Sequence, residues 1–380
     1  MLKLVLKKGK EKKVKHFYPW VFRDELERVE GEGLVGELYA HDGSFLGVGT
    51  YSPVSRIAFR VFTHERRPLD EAYFKETLER TAFLREGIPS DAYRVLYSES
   101  DQTPGFIVDR YADGLVLQVR TLGAEKLKPE LLKALVERFR PAFVYERSDF
   151  VGRKDEGLEP FKGLLWGELK NPVLIREHEF TFLVDVERGL KTGFYLDQRE
   201  NRLYASSLVK EGSRVLDLFC YTGGFSVYCA KRGARVTGVD LNERALELAR
   251  ENARINGVEV EFVKANAFEY LEQDRSSYDL IIADPPAIAK ARKEKESLKW
   301  AVWKLAYHAF PRLRRGGRLF ICVCSYQLSA DELARQVRLA ATDRGRKVVL
   351  KELRLQPYDH PYLPTFPESL YLKCGDFILV

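Results

Sequence analysis

Two cysteines near the end of the sequence have the spacing and surroundings that suit chemistry. Cys322 and Cys324 lie in the run RLFICVCS, which is typical of a strand. Period-two alternation puts both thiols on one face, and Cys324 is nearer the end where the sequence turns polar. A cysteine thiolate can add to carbon-6 of a pyrimidine ring, which makes carbon-5 enamine-like and able to attack a sulfonium methyl group. We expect Cys322 to be a small buried hydrophobe and Cys324 to be the nucleophile.

A carboxylate followed by two prolines stands at the end of another apolar run. Asp284-Pro-Pro follows YDLIIA, and prolines supply no backbone N–H, so they form a rigid pocket edge beside the carboxylate. For a cytosine ring, Asp284 is the candidate to hold N3 and the amino edge. Sites that methylate exocyclic amines usually add an aromatic residue here. Residue 287 is alanine, which counts against an adenine-N6 activity.

The segment RVLDLFCYTGGFS predicts a cofactor loop after a strand. Its glycines, Gly223 and Gly224, allow a ligand to approach the backbone closely, and an acid, Asp217, begins the loop. A dinucleotide site would have G-x-G-x-x-G, and the third glycine is absent. Because an acid favours the ammonium of a methionine moiety and disfavours a pyrophosphate, S-adenosylmethionine fits better than NAD.

Further candidate cofactor residues follow neighbouring strands. Asp240 ends the next strand and is placed to accept hydrogen bonds from ribose hydroxyls, while an amide at Asn266 could meet the adenine amino group, and Phe268 could pack on its ring. The predicted set for the cofactor at these strand ends is Asp217, Phe219, Tyr221, Gly223, Asp240, Asn266, Ala267 and Asp284.

The elements that must position these residues alternate regularly over residues 171–380. RVLDLFC, ARVTGVDL, VEFVKANA, YDLIIADPP and RLFICVCS read as strands separated by helical stretches. This pattern predicts an α/β domain with a doubly wound parallel sheet, in which ligands bind beyond the carboxyl ends of the strands. KVVLKELRL and SLYLKCGDFILV have no long helix between them and predict an antiparallel pair that closes the sheet.

Two smaller domains are predicted before it. Residues 1–68 contain short runs with glycine turns, which indicate a small β-barrel, and HFYPWVF reads as an aromatic-rich turn. Residues 69–170 predict a small α/β domain, with a helix in LDEAYFKETLERTAFLREG, strands in YRVLYSES, GFIVDRY and GLVLQVRT, and then a helix and further strands. The polar loop over residues 149–162 has no assignment.

Composition and charge exclude several classes of protein. The 380 residues hold 45% hydrophobic and 31% charged residues, and no apolar run is long enough for a membrane span. The lysine-rich start lacks the apolar core of a signal peptide, and five cysteines do not suggest a secreted disulfide scaffold, so we expect a cytoplasmic protein. Residues 1–67 and 171–380 are net basic around an acidic middle, a distribution that suits a polyanion.

Long ordered strings along the whole chain resemble the bacterial 23S rRNA cytosine-5 methyltransferases of the RlmI type. These strings are LKKG with HFYPWVF, SESDQTPGFIVDRY, GLKTGFYLDQRENR, LDLFCYTGGFS, ADPPA, CVCS and DHPYLPTFPESLYLK. The resemblance implies a PUA domain, a small α/β domain and a class I methyltransferase domain. It also implies S-adenosylmethionine as methyl donor, 23S rRNA as substrate, 5-methylcytosine as product and a homodimer.

Within the family's motifs, Cys324 matches the nucleophile and Asp284 the acid, while Gln198 falls in the segment that closes over the cofactor. Asn266 stands where the family commonly has aspartate. His360 and Glu368 lie in the proline-rich segment DHPYLPTFPES. One interpretation is that they line the base pocket or contact RNA. The alternative is that the three prolines only stiffen the connection between two strands. The remaining histidines show no metal-ligand spacing, so we expect no metal.

Rival hypotheses stay open at this point. Uridine carbon-5 would need the same thiolate, whereas an exocyclic amine or a protein target would not need Cys324. A further alternative is an RNA-binding protein with a non-catalytic methyltransferase domain. The combination of Gly223, Asp240, Asp284 and Cys324 argues against that alternative.

Overall fold

A computed structural model of the chain describes residues 2–286 and 292–380, and it leaves Ala287 of the sequence argument outside the described residues. The chain divides into two compact units. The first comprises Met1–Ile175, Val184–Phe194 and Tyr358–Ser369, and the second comprises Arg176–Leu183, Tyr195–Pro357 and Leu370–Val380. Within the described residues, no helix is both long and apolar enough to cross a membrane.

The first unit begins with a six-stranded sheet in the order β2-β6-β5-β4-β1-β3. Alternating leucines bury one face of the first strand, and β5 carries glycine at positions where its neighbour approaches closely; a Cβ on Gly49 would lie 2.0 Å from the carbonyl oxygen of Arg60. The elements are β1 (Leu2–Leu6), α1 (Glu11–Lys15), β2 (Trp20–Phe22), β3 (Leu26–Glu30), β4 (Val35–Tyr39), β5 (Phe45–Tyr51) and β6 (Ile57–Thr63).

Two features of this sheet differ from the sequence-based expectation. The prediction of a turn over HFYPWVF was wrong for its second half, because Trp20–Phe22 is the strand β2 and pairs with β6. The strand β3 was not predicted. It is an edge strand whose residues are almost all exposed, so LERVE carries no apolar alternation that could reveal it.

A second sheet of the first unit has the order β11-β10-β9-β8-β7. Helices α2 and α3 pack against it through Phe74, Leu78, Leu127 and Leu131. The unassigned segment 149–162 contains a 3₁₀ turn, Val151–Glu156, and the start of β11. The elements are α2 (Glu71–Thr81), β7 (Ala92–Tyr97), β8 (Phe106–Tyr111), β9 (Gly114–Val119), α3 (Leu122–Phe139), β10 (Phe143–Ser148) and β11 (Phe161–Gly167).

The hairpin expected in LIREHEFTFLVDV is present as a two-stranded sheet of β12 (Val173–Glu177) and β13 (Phe180–Val184). His178, with φ of 52°, lies in the turn between these strands. The pairing follows from the period-two burial of both strands, in which alternate residues are inside.

The second unit contains a seven-stranded sheet in the order β16-β15-β14-β17-β18-β20-β19. The first five are parallel, and β20 pairs antiparallel with both β18 and β19, which confirms the predicted fold class. The strands are β14 (Arg214–Leu218), β15 (Arg235–Asp240), β16 (Glu261–Lys264), β17 (Tyr278–Ala283), β18 (Leu313–Cys324), β19 (Val348–Leu355) and β20 (Leu372–Leu379).

Helices cover both faces of this sheet. Buried residues of α8 and α9, such as Leu305 and Val337, pack on one face, and Ala205 and Phe225 of α4 and α5 pack on the other. The chain leaves β14 in one direction to β15 and β16 and returns to β17 on the other side. This order makes a switch point between β14 and β17. The helices are α4 (Arg199–Ser207), α5 (Gly224–Lys231), α6 (Glu243–Ile255), α7 (Ala267–Gln273), α8 (Arg292–Ala309) and α9 (Ala330–Asp343).

Candidate active site

The loop after β14 has an unusual backbone. Phe219 and Tyr221 adopt φ of 62° and 49°, a region that costs free energy for residues other than glycine. Gly223 follows with φ of 80° as the N-cap of α5, where a Cβ would lie 3.1 Å from the Phe262 ring. This strained loop turns the chain sharply at the carboxyl edge of the sheet, at the switch point where a ligand is expected.

Asp217 is buried at the foot of this loop with one oxygen unsatisfied. Its Oδ2 accepts a hydrogen bond of 2.6 Å from the Ser226 hydroxyl, whereas Oδ1 has no hydrogen-bond partner among the described residues. Burial, with a further contribution from Asp284, raises the pKa of Asp217 to about 7. An orphaned buried carboxylate oxygen needs a donor, and the ammonium of S-adenosylmethionine would supply one together with a compensating charge.

Asp240, at the end of β15, is oriented by the backbone. Its Oδ2 accepts from the Tyr221 N–H and its Oδ1 from the Asn242 N–H, both at 2.9 Å. Each carboxylate oxygen can accept more than one hydrogen bond, so ribose hydroxyls can still bind here. The predicted role of Asp240 therefore agrees with its orientation and stays a prediction.

Asn266 has a structural role that sequence reasoning missed. Its Oδ1 caps α7 by accepting from the N–H groups of Phe268 and Glu269, at 3.0 and 3.4 Å. An adenine amino group needs an acceptor, and this oxygen is already used, so the side-chain NH₂ is better suited to a ring nitrogen. Ala267 is the first residue of α7, where a backbone N–H has no intrahelical partner. The contacts of both residues with adenine stay predictions.

Asp284 follows β17 and Cys324 ends β18, and these strands are parallel neighbours with Ala283 opposite Ile321. Tyr195, three residues before Gln198, lies near both side chains. Burial raises the pKa of Tyr195 well above its ordinary value, and the nearby charges of Asp284, Tyr221, Asp197 and Cys324 raise it further. The Tyr195 and Tyr221 rings are 5.3 Å apart, edge to face. The structure thus places the predicted acid and nucleophile at the ends of adjacent strands. The string GLKTGFYLDQRENR was a signal for Tyr195, but its hydroxyl was not among the predicted groups.

The cysteines differ in exposure as expected. Cys322 is fully buried opposite Cys374 of β20, and burial raises its pKa well above the ordinary value. Cys324, two residues on, is partly exposed at the end of β18 and packs against the same apolar cluster. The alternation prediction is therefore confirmed for the common face, while the nucleophilic role of Cys324 stays a prediction.

Gln198 points into a buried cluster. Its Oε1 accepts from the Asn201 Nδ2 at 2.7 Å and from the Cys374 thiol at 3.7 Å. The structure therefore places this side chain beside β20 and not in the glycine loop, and its contact with the cofactor stays a prediction.

Lys373 of β20 is a functional candidate that sequence reasoning missed. It is 3% exposed, and its Nζ donates to the carbonyl oxygens of Ser325 and Leu370 at 2.7 and 3.0 Å. Burial lowers the pKa of Lys373 to about 8, and the nearby Cys324 opposes that shift. Lys373 is paired with Val323, the residue before Cys324, so a buried cation lies near the candidate nucleophile, where it would favour a thiolate.

His360 and Glu368 belong to the first unit. His360 is buried with its ring 5.8 Å from that of Tyr97, and the Glu368 Oε1 accepts a hydrogen bond of 2.9 Å from the Tyr18 hydroxyl. Asp284 and Cys324 belong to the second unit. Across the described part of the chain, no three His, Cys, Asp or Glu side chains are grouped to hold a metal ion.

Two family models match the chain. Residues 4–64 match a PUA-like domain, and residues 196–349 match a methyltransferase small domain. In fold, the chain is similar to a candidate S-adenosylmethionine-dependent methyltransferase from Streptococcus mutans, with a TM-score of 0.85 and 22% identity over 100% of both chains. A second candidate methyltransferase, solved in complex with SAH, has a TM-score of 0.87 and 24% identity over the same coverage.

Closer relatives cover the whole chain. A Shewanella denitrificans protein named ribosomal RNA large subunit methyltransferase I is 39% identical over 98% of both sequences. A Klebsiella pneumoniae protein of the same name is 38% identical over 98% of this chain and 96% of its own length. The fold and the relatives identify S-adenosylmethionine as the cofactor. The chain is a methyltransferase and belongs to the ribosomal RNA large subunit methyltransferase I family.

Proposed function

We propose that this protein methylates carbon-5 of a cytosine in 23S rRNA through a covalent adduct with Cys324. The observation that carries the proposal is the position of Cys324 and Asp284 at the carboxyl ends of β18 and β17, which pair in parallel with Ala283 opposite Ile321. The relatives act, by their name, on ribosomal RNA of the large subunit. A thiol and a carboxylate in one site are the two groups that pyrimidine carbon-5 methylation needs.

The second unit holds the groups that fit the cofactor. Asp217 would bind the ammonium, Asp240 the ribose, and Asn266 with Ala267 the adenine. When bound, S-adenosylmethionine supplies an electrophilic methyl group on a sulfonium. Gly223 lets the loop turn into α5 with φ of 80°, close to the Phe262 ring.

The chain's own residues would act in sequence on a cytosine that has left its stack. The Cys324 thiolate adds its electron pair to carbon-6, and negative charge moves onto the ring through N3. Asp284, in its protonated form, donates a hydrogen bond to N3 and accepts one from the amino group, which stabilises that charge. Carbon-5 forms its bond to the methyl group while the bond between that methyl and the sulfonium sulfur breaks, and the neutral thioether leaves. Solvent water then takes the proton of carbon-5, and the bond between carbon-6 and the Cys324 sulfur breaks, which restores the ring double bond and the thiolate.

Lys373 would keep Cys324 reactive between turnovers. Its ammonium is fixed by the carbonyl oxygens of Ser325 and Leu370, so the charge cannot move away from the end of β18. In a buried setting a fixed cation stabilises a neighbouring thiolate far more than it would in water. We assign Lys373 as a positioning residue that acts through Cys324.

The first unit would bind the RNA. Its PUA-like part begins with seven lysines and one acid in the first fifteen residues. Such a basic segment contacts phosphates and contributes affinity without chemistry. A ribosomal RNA substrate would place the protein in the cytoplasm.

A homodimer is implied by the family resemblance, and the edge strand β19 supports it. Val349, Leu350, Leu353 and Leu355 of this strand are each 40–49% exposed. An exposed apolar edge strand is a surface on which a second chain can pair. Light scattering of the wild type and of Leu353→Lys tests this, since a monomeric wild type would contradict it.

Product analysis tests the proposed function. Protein, labelled S-adenosylmethionine and unmodified 23S rRNA are incubated, and the nucleosides are identified by mass spectrometry. We expect label in 5-methylcytosine, lost in Cys324→Ala and retained in the matched control Cys322→Ala. Label in 5-methyluridine would show that the target base is uridine and would leave the role of the Cys324 thiolate unchanged. Label in a methylated amine that persists in Cys324→Ala would refute the mechanism.

A further inference from the structure

A cavity in the first unit has features of a binding site that the proposed chemistry does not use. It has a volume of about 380 Å³ and lies between the PUA-like part and helix α2. This volume is in the range of pockets that hold small organic groups. Its lining includes three aromatic rings and several polar side chains: Phe17, His64, Phe83, Arg80, Ser100 and Thr365.

Two aromatic rings of the cavity are far more exposed than their apolar character favours. Phe17 is 60% exposed and Phe83 is 65% exposed. The Phe17 ring is held edge to face against His64 at 5.0 Å, and His64 is in turn fixed by a 2.8 Å hydrogen bond with the Leu46 carbonyl oxygen. Exposed rings fixed in this way form a platform for a flat ligand.

Two helix ends fix the backbone of the same wall. Phe17 has φ of 66° directly after α1, where the N–H groups of Phe17 and Tyr18 donate to the carbonyl oxygens of Val14 and Lys13. Gln102, with φ of 58°, ends the 3₁₀ turn Ser98–Asp101. The Phe17 ring therefore projects from a backbone that its own hydrogen bonds hold in place.

Two hydroxyl groups of the wall need hydrogen-bond partners. Ser100 Oγ and Thr365 Oγ1 are shielded from solvent and have no partner within the described residues. Buried polar atoms are almost always hydrogen-bonded, to protein or to water, so each hydroxyl can bond a polar group that enters the cavity.

The charged side chains at the cavity suit a ligand with an uncharged flat ring that is attached to a negatively charged backbone. The carboxylates that line it are already engaged: Glu99 accepts from the Trp20 indole at 2.7 Å, and Asp101 pairs with Arg85 at 2.6 Å. Arg80 is exposed at the cavity. The lysine-rich segment that ends at Lys15 directly precedes Phe17 in the sequence and can contact phosphates.

We infer that this cavity binds an unstacked nucleobase of the RNA substrate, away from the base that is methylated. The inference rests on the proposed function and adds a second recognition site to it. Phe17 and Phe83 would stack on the base, and the two hydroxyls would contact its polar edge. Because stacking accepts any base, the hydroxyls would contribute most of the discrimination.

Binding of 23S rRNA to full-length variants tests the cavity. We expect Phe17→Ala and Phe83→Ala each to weaken binding about tenfold, within the range for loss of base–aromatic stacking. Phe17→Trp should retain affinity, whereas Phe17→Leu should lose it, because leucine is apolar but cannot stack. The slope of affinity against salt should not change, since no phosphate contact is removed. Phe161→Ala, an exposed ring on β11, is the matched control.

A crosslinking experiment separates this inference from the proposed function. Full-length protein is irradiated with 4-thiouridine-containing single-stranded RNA of mixed sequence, and adducts are mapped by mass spectrometry. Adducts on peptides with Phe17 or Phe83 support the cavity even if 23S rRNA is not methylated. Unchanged RNA binding in Phe17→Ala/Phe83→Ala overturns the cavity, even if Cys324-dependent methylation of 23S rRNA is observed. Thermal unfolding followed by circular dichroism, compared with the wild type, shows whether the double variant is folded.

Discussion

Asp217 makes the binding of S-adenosylmethionine depend on pH. The carboxyl group is fully buried, one of its oxygens has no hydrogen-bond partner in the part of the chain that the structure describes, and burial raises its pKa to about 7. A cationic ammonium binds the ionised carboxylate, so the protonated form must first lose its proton. Binding therefore becomes tighter as pH rises through 7, and Asp217→Asn removes this dependence.

The magnitude follows from the pKa. With a pKa of about 7, roughly nine-tenths of the Asp217 carboxyl groups are protonated at pH 6 and roughly one-tenth at pH 8. If only the ionised form binds, the apparent Kd falls by about tenfold between these pH values. The ligand's own amino group also titrates, but it does so equally for wild type and variant. The ratio of their Kd values therefore isolates Asp217.

Isothermal titration calorimetry at pH 6, 7 and 8, in two buffers of different ionisation enthalpy, measures both Kd and proton release. We expect the wild type to release up to one more proton than Asp217→Asn near pH 6. Asp331→Asn, which removes an exposed carboxylate at the start of α9, is the matched control. Equal pH dependence in wild type and Asp217→Asn would refute the reasoning.

The same group affects stability with a defined sign. Folding raises the pKa of this carboxyl from near 4 in the unfolded chain to about 7. The folded protein therefore loses stability as the pH rises from about 4 to about 7, because ionisation is costly in the interior. Asp217→Asn should therefore raise the Tm of the unliganded protein at pH 8. A lower Tm at pH 8 would show that the buried carboxylate already has a compensating charge.

Three further substitutions test other parts of the second unit. Lys373→Met should slow alkylation of Cys324 by iodoacetamide about tenfold at pH 7, where most Lys373 side chains are charged, because a fixed nearby cation is lost. An unchanged rate would exclude its role. Arg202→Met should lower the free energy of unfolding, measured with urea, by about 3–5 kcal/mol, because it leaves the buried Glu177 carboxylate without its cation. Adding Glu177→Gln to the same chain should recover part of that loss. Gly223→Ala should lower stability by about 1–2 kcal/mol and weaken S-adenosylmethionine binding, because φ is 80° and the added methyl has little room; a neutral effect would contradict the strained-loop description.

The parallel sheet could be predicted because its strands are apolar runs separated by amphipathic helices, a pattern that local sequence carries. The strand β3 could not, because an exposed edge strand has no buried face to impose alternation. The predicted helix after Leu69 was found, but it ends at Thr81 and continues as a 3₁₀ turn before Gly87. Such endings depend on tertiary packing more than on propensity.

The sequence predicted the positions of those candidate site residues that lie at the ends of strands. Asp217, Asp240, Asp284 and Cys324 all lie at the carboxyl edge, as the strand ends imply. Lys373 was not found, because its burial beside Cys324 depends on the antiparallel register of β18 with β20, which pairs residues about fifty positions apart.

Two other differences also depend on contacts between segments that are distant in sequence. Asn266 was predicted from its position alone, and its use as a helix cap depends on where α7 begins. Gln198 was placed with the cofactor by resemblance, and its side chain turns toward Cys374 because β20 lies beside it. Neither contact has a local sequence signal.

Covalent trapping tests the central claim most directly. RNA containing 5-fluorocytidine is incubated with the protein and S-adenosylmethionine. After methyl transfer, carbon-5 carries fluorine in place of the proton that is normally lost, so the covalent adduct cannot break down and persists. We predict an RNA–protein complex stable to denaturation, with the modified peptide containing Cys324, present in Cys322→Ala and absent in Cys324→Ala. Methylation of natural 23S rRNA without any trapped adduct, or an adduct on another cysteine, would contradict the account.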